Sequence, residues 1–331
     1  MKFTSIAYDL KFTDSLMKRI LPKLLGMNES ATLLARPPYS APNNRQGNHL
    51  REIGRSFLAG YNRSLAGPDF EDLSRHLDQA PPRYVGFGYE GAAMGYALCD
   101  FLTPWNRYRW RSFVQGKADA HRYVAHVGAG WLLARVPVKV NHFLEQFDSI
   151  LCWLAIDGYG FHEGFFHGKR YLSHRRIPNC VQGFGGRAFD QGFGRCLWFL
   201  ECANIEAIGL QIAQFPMERR ADLWSGVGLA AVYAGESQPD ELRQLLNLSG
   251  DYRPQLQQGA AFAAKARLRG KCSTAYTELA SEALCGIPAE EAAALTDEAL
   301  ADLPKTGIEP PYEVWRSRVQ QWFIRRKIPS V

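Results

Sequence analysis

Several signatures of common protein classes are missing from this sequence of 331 residues: it has no CxxC pair, no G-x-S-x-G motif and no DDxxD run. It also lacks an uninterrupted apolar stretch of about 18 residues, the length that a transmembrane helix requires. Asp9, Lys11 and Asp14 interrupt the N-terminal segment where a signal peptide would be apolar. We therefore expect a cytoplasmic protein without a transmembrane segment, whose seven scattered cysteines are mostly buried thiols.

The charge does not favour nucleic acid as a partner. A formal net charge of +6 is modest for this length. The glycine-rich stretch GFGGRAFDQGFG follows no predicted strand and lacks a phosphate-binding lysine, so a nucleotide site is not expected. Basic residues do cluster in two places, over residues 107–111 and 169–176. These clusters are either solvated helix ends or a surface for an acidic partner.

The apolar residues recur mainly with helical spacing, and alternating strand patterns are scarce. Glycine and proline separate one helical run from the next, up to the C-terminal YEVWRSRVQQWFIRRK. The sequence thus predicts an all-α fold, with an N-terminal arm and loop over residues 1–48 and a helical domain over 49–331.

Two parts of the helical domain resemble each other. FGYEGAAMGYALCDFL is similar to FDQGFGRCLWFLECAN, and HVGAGWLLARV to WSGVGLAAVYAGE, which suggests a duplicated helical unit over about residues 84–137 and 184–236. Each copy carries an acidic or amide residue followed by glycine, which we place at a helix start. Glycine inside a helix costs about 1 kcal/mol relative to alanine, so close packing between helices is its expected role. The units form one compact domain or two closely packed lobes.

The run DGYGFHEGFFH, residues 157–167, contains the strongest candidate site residues. Glu163 and His167 are four residues apart and share a face on a helix, whereas His162 and His167 are five apart and do not. An HExxH-type zinc site is therefore excluded. A Glu163–His167 pair completed by His126, Glu90 or Asp157 would suit iron, manganese or zinc, and a purely structural polar cluster fits the same spacing.

Acid–base chemistry is a second possibility for this run. Phe161, Phe165 and Phe166 flank Glu163, so we expect desolvation to raise the pKa of its carboxyl group toward neutrality. His162 and His167 already titrate near neutral pH.

Similar carboxyl groups occur in both copies of the helical unit. Glu90 lies between aromatic and small residues, and Asp190 occupies the equivalent place in the second copy. If the copies face one another, these groups and Glu163 converge on one pocket. Arg195 would then pair with Asp190 or hold an anionic substrate group. The candidates are Glu163, His162, His167, Asp157, Glu90 and His126 for catalysis, Tyr159, Phe161, Arg195 and Asp190 for substrate binding, and Glu163, His167 and His126 for any metal.

The segments EGAAMG, HVGAGW, DGYGFHEGFFH, QGFGRCLWF and LWSGVGLA, in this order and spacing, resemble a bacterial family of unknown function, DUF1702. The resemblance extends from about residue 50 to 325, and DGYGFHEGFFH is its most specific part. Family members occur in gene clusters for enediyne and related polyketide products, in which a polyene synthase supplies a long conjugated hydrocarbon. The resemblance implies an accessory role in such a pathway, with no mechanism that can be carried over.

The residues and the resemblance together favour a protein that binds or modifies an apolar polyene intermediate. An acidic carrier protein would contact the basic clusters. Three alternatives remain: a non-catalytic protein that binds apolar ligands, a polyene or isoprenoid cyclase with a protonating carboxyl group, and a helical scaffold whose pocket is incidental. No cofactor is indicated.

Overall fold

The computed structural model describes residues 18–28, 45–103, 105–304 and 307–326, and these ranges contain helices and no strand. The predicted all-α class is confirmed. The helices are α1 Arg45–Leu65, α2 Phe70–Leu77, α3 Pro82–Leu102, α4 Arg109–Gln115, α5 Arg122–Gly130, α6 Val140–Leu144, α7 Cys152–His174, α8 Phe184–Leu200, α9 Ile205–Ala213, α10 Met217–Tyr233, α11 Pro239–Leu248, α12 Arg253–Arg269, α13 Ala275–Cys285, α14 Ala289–Leu300 and α15 Pro311–Arg325.

The N-terminal boundary differs slightly from the prediction. α1 begins at Arg45, inside the loop predicted over 36–48, and residues 36–44 lie outside the described ranges. Residues 18–25 are helical, and the chain that follows them is fixed to α1: the Met27 N–H donates to Asn62 Oδ1 at 2.9 Å, and Asn62 Nδ2 donates to the Met27 carbonyl at 2.7 Å.

Seven helices pack in chain order, each against the next: α1, α3, α5, α7, α8, α10 and α12. Glycine makes this packing possible because a Cβ at Gly91 would overlap the Phe57 carbonyl, and a Cβ at Gly192 would overlap the Asp157 carbonyl. The predicted close approach is confirmed at Gly91, Gly95, Gly128, Gly130, Gly226 and Gly228. Glycine at these positions lowers the helix propensity but allows close contact between the backbones of neighbouring helices.

The series of helices turns back on itself. Arg267 of α12 donates hydrogen bonds to the carbonyls of Pro82, at 3.3 Å, and Arg83, at 3.0 Å, at the start of α3. Tyr233 of α10 packs edge-on against Phe87 of α3, with ring centroids 5.2 Å apart. The helices therefore surround an interior rather than forming an extended row, and α13, α14 and α15 cover α12.

A buried polar residue precedes the packing glycine in five of these helices: Glu90, Asp157, Gln191, Ser225 and Gln258. All five lie at least one full turn inside their helices, so the prediction that such pairs mark helix starts is wrong. The pattern recurs from one of these helices to the next, so its repeat length is shorter than that of the predicted duplication. The duplication itself stays a prediction. The recurring pattern brings polar groups of successive helices to the same level of the interior.

Candidate functional site

An aromatic pocket, here called the aromatic chamber, opens into the interior between α1, α3, α7, α8 and α10. The chamber and the solvent at its mouth contain about 720 Å³ of space free of atoms, of which about 60 Å³ admits the centre of a water molecule. Its walls are apolar except for Glu90 and Arg195. The lining residues are Met27, Leu50, Ile53, Gly54, Phe57, Leu58, Phe87, Glu90, Trp131, Phe161, Phe165, Phe166, Arg195, Phe199, Ala230, Tyr233 and Ala234.

Glu90 is the acidic residue of this chamber and is only 4% exposed. The pKa of its carboxyl group is raised to about 7: burial is the main cause and the nearby Asp157 carboxylate adds to it, while Arg195 and the Trp131 indole act in the opposite direction. A carboxyl group with this pKa is present in both protonation states near neutral pH. It can therefore give or accept a proton there.

Arg195 of α8 is held by Asp157 of α7. Its Nε and Nη2 lie 2.8 and 2.6 Å from Asp157 Oδ1, and Gln191 Nε2 donates to the other carboxylate oxygen at 2.7 Å. The same Gln191 amide donates to the Tyr312 hydroxyl at 3.0 Å. Arg195 also lies over the ring of Phe161, 4.9 Å from its centroid. The guanidinium is thus fixed in orientation beside the chamber.

The candidate run 157–167 is divided between two faces of α7. Asp157, Phe161 and Phe165 follow one another at four-residue spacing and face the interior. Tyr159 and Glu163 face a different opening, which is polar and contains about 1060 Å³ of space. We call it the basic groove, and its remaining lining residues are Arg170, Tyr171, His174, Arg176, Ile177, Pro178 and Asn179.

Glu163 is buried and has two close partners. The Tyr171 hydroxyl donates to its Oε2 at 2.6 Å, and His162 Nδ1 lies 3.4 Å from its Oε1. Although burial alone would raise the pKa of the carboxyl group, the contacts with His162 and Tyr171 outweigh it, and the pKa is lowered. The expected shift of Glu163 toward neutrality is therefore wrong. Glu90 has that property instead.

The other predicted partners of Glu163 lie apart from it. The backbone at His167 is not helical (φ −129°, ψ 22°), and no hydrogen bond or ion pair joins His167 to Glu163 in the described chain, although His167 contributes electrostatically to the lowered pKa of Glu163. His126 is buried on α5, where its Nδ1 lies 2.7 Å from the Arg122 carbonyl oxygen, and burial lowers its pKa to about 4.

The three residues predicted as ligands of any bound metal, Glu163, His167 and His126, therefore do not form a cluster. Among the described residues, no group of three or more His, Cys, Asp or Glu side chains is close enough to hold a metal ion.

The predicted Arg195–Asp190 pair is also wrong, because Arg195 binds Asp157 and Asp190 binds Arg219, whose Nε lies 2.7 Å from Asp190 Oδ2. Burial raises the pKa of Asp190 to about 6, against the effect of Arg219. The predicted convergence of Glu90, Asp190 and Glu163 on one pocket is wrong, because Glu90 alone of these three lines the aromatic chamber, whereas Glu163 lines the basic groove.

Several residues of the chamber were not among the predicted site residues. Trp131 and Phe57 form a stacked pair, with centroids 4.4 Å apart, and Tyr233 closes the wall between α10 and α3. Trp131 ends the segment HVGAGW, so the sequence did contain a signal for it. Gln191 could have been found from the polar residue that recurs before each packing glycine. Phe57 and Tyr233 carry no such signal.

Comparison with known proteins supports the resemblance seen in the sequence. The model of the family DUF1702, described as "Protein of unknown function", matches residues 16–323. Searches of curated proteins and of solved structures gave no significant match. No helix in the described ranges is long and apolar enough to cross a membrane. Because the match covers nearly the whole chain, the protein belongs to the DUF1702 family.

Proposed function

We propose that this protein binds a long, apolar, unsaturated molecule in the aromatic chamber and that Glu90 exchanges a proton with it. The observation that carries the proposal is a single titratable carboxyl group with a pKa of about 7 in a wall of aromatic side chains. Aromatic walls suit a conjugated chain because they provide large flat apolar surfaces. The occurrence of related proteins in enediyne-type polyketide clusters fits a polyene intermediate as this molecule.

The geometry favours proton exchange at an activated position over formation of a carbocation. A carboxylic acid with a pKa near 7 is a weak acid for protonating an isolated double bond, whereas it matches transfer to or from a carbon or oxygen activated by conjugation. The Arg195 guanidinium also lies over the Phe161 ring, so this ring face is already occupied by a cation and is not free to stabilise a carbocation. A cation-forming cyclase is therefore less well supported than an acid–base enzyme.

Two measurements test the proposal. The first is binding of the fluorescent polyene diphenylhexatriene to the purified protein, which we expect to be weakened at least tenfold by Leu58→Trp, because that side chain lines the chamber. Glu90→Gln keeps the shape of the carboxyl group but cannot exchange a proton, so we expect it to bind the probe as the wild type does.

The second measurement is product formation in the native host after replacement of the gene by each variant. We expect Glu90→Gln to abolish the product and Glu163→Gln, a change outside the chamber, to retain it. Full product with Glu90→Gln would instead favour a non-catalytic binding protein. Probe binding that is insensitive to Leu58→Trp would contradict the chamber as the binding site.

A further inference from the structure

A second cavity lies on the other side of the Arg195–Asp157 pair. This second chamber and the solvent at its mouth contain about 540 Å³ of space free of atoms, of which about 40 Å³ admits the centre of a water molecule. Its walls include the aromatic side chains of Tyr123, Phe262 and Trp315. Asp157 lines this chamber and Glu90 lines the aromatic chamber, while Arg195 and Tyr233 line both. The two spaces therefore adjoin at Arg195 and Tyr233.

The same helices supply the walls on both sides. α7 gives Phe161 to the aromatic chamber and Leu154 to the second, and α10 gives Ala230 to one and Leu229 to the other. Because Leu154 and Phe161 lie on one face of α7 about two helical turns apart, the two chambers lie at different levels along this helix.

We infer that the two chambers are the two halves of one binding passage, occupied by a single linear unsaturated chain whose middle lies beside Arg195. This inference rests on the proposed function and specifies its substrate class: a chain too long for either chamber alone. Arg195 is neutralised by Asp157 at 2.6 Å, and Glu90 can be protonated, so the middle of the passage accepts an uncharged segment. At the far end, Lys265 pairs with the exposed Asp297 and is placed to meet a polar terminus.

The length dependence of binding tests this inference. We would measure competition of n-alkanols, from octanol to hexadecanol, against diphenylhexatriene. Each additional buried CH₂ group should raise the affinity by about fourfold. In the wild type we expect this gain to continue through the longest alkanols, because they reach the second chamber.

Two variants separate the chambers. Ala266→Phe places a ring in the second chamber at a partly exposed position, where the backbone can accommodate it. We expect octanol to bind unchanged and the gain with chain length to stop early. Circular dichroism shows whether Ala266→Phe folds. If it does not, Leu229→Phe, which fills the same chamber from α10, replaces it. Leu58→Trp, in the aromatic chamber, should weaken alkanols of every length.

The outcomes are distinguishable. A length dependence that is identical in the wild type and Ala266→Phe, with Leu58→Trp still harmful, overturns the single passage and leaves the proposed function intact. The single passage is likewise overturned, and the proposed function left intact, if the wild-type affinity stops rising at the same alkanol length as the Ala266→Phe affinity. Absence of binding by every alkanol, or binding insensitive to Leu58→Trp, overturns the proposed function and the passage with it.

Discussion

At the scale of single residues, the chemistry of the interior depends on which buried carboxyl groups have a cation beside them. Asp157 has the Arg195 guanidinium at 2.6 Å and Asp190 has that of Arg219, so each of these carboxyl groups has its own cation. Glu90 shares Arg195 with Asp157 and has no cation of its own. Burial gives Glu90 its pKa of about 7, because the shared Arg195 only partly offsets the effect of burial.

The Glu90 shift makes folding stability depend on pH. Its folded pKa of about 7 lies above the ordinary value of 4.5, so between these values the folded state holds a proton that the unfolded state has lost. The free energy of unfolding therefore falls as pH rises from 4.5 to 7, by about 3 kcal/mol from this group. Glu90→Gln has no proton to lose, so its stability relative to the wild type should improve steadily over this range.

Urea denaturation at several pH values measures the difference between the two proteins. Using the difference removes the contributions of other titrating groups, such as Asp190 and His126, which both proteins share. A difference that does not change between pH 5 and pH 7 would show that Glu90 has an ordinary pKa and would remove the basis for proton exchange.

At the scale of helices, glycine decides how closely neighbours approach. A Cβ at Gly192 of α8 would overlap the carbonyl group of Asp157 on α7, and neither backbone can move without disturbing the ion pair beside it. We expect Gly192→Ala to lower the free energy of unfolding by about 3 kcal/mol or more. Gly209 on α9 is the matched control, because a Cβ there would lie 3.8 Å from Leu248 Cδ1, an ordinary contact.

Gly209→Ala should raise the free energy of unfolding by about 0.5–1 kcal/mol, since alanine has the higher helix propensity and meets no obstacle. Thermal and urea denaturation of both variants would measure the contrast. Equal effects at the two positions would mean that backbone contact is not what glycine provides in α8.

Helical patterning predicted the elements well and their mutual orientation poorly. The apolar spacing predicted the helices, and the glycines predicted where helices approach closely, because each of these features depends on residues near in sequence. The apolar spacing does not mark the break between α6 and α7, where Asp148 accepts the N–H groups of Ile150 and Leu151. The run 157–167 was located correctly, but which of its side chains face the chamber depends on how α7 crosses α5 and α8.

The partners of each charge were the least predictable feature. Asp190 and Arg195 are close enough in sequence to suggest a pair, yet they point from α8 toward different neighbours, α10 and α7. The helical spacing that suggested a pair of His167 with Glu163 likewise does not predict the kink at His167. In both cases the outcome is set by packing between distant helices, which a single sequence does not contain.

At the scale of the whole molecule, the interior network crosses the midpoint of the chain. Gln191 links Asp157 on α7 to Tyr312 on α15, and Ser225 of α10 donates to Gln258 of α12 at 3.0 Å. Buried polar groups in such a network need all their partners at once, because each unsatisfied group costs about 1–3 kcal/mol. The helices on either side of the α7–α8 loop therefore depend on each other.

This dependence predicts how the chain behaves when divided in the loop between His174 and Phe184. A fragment ending there and its complement each expose one side of the α7–α8 interface and leave Asp157 or Arg195 buried without its partner. We expect neither fragment alone to unfold cooperatively in urea, and the mixed fragments to regain helical circular dichroism and a single transition. If the predicted duplication instead produced two self-sufficient lobes, each fragment would show its own native-like transition, and mixing would change neither.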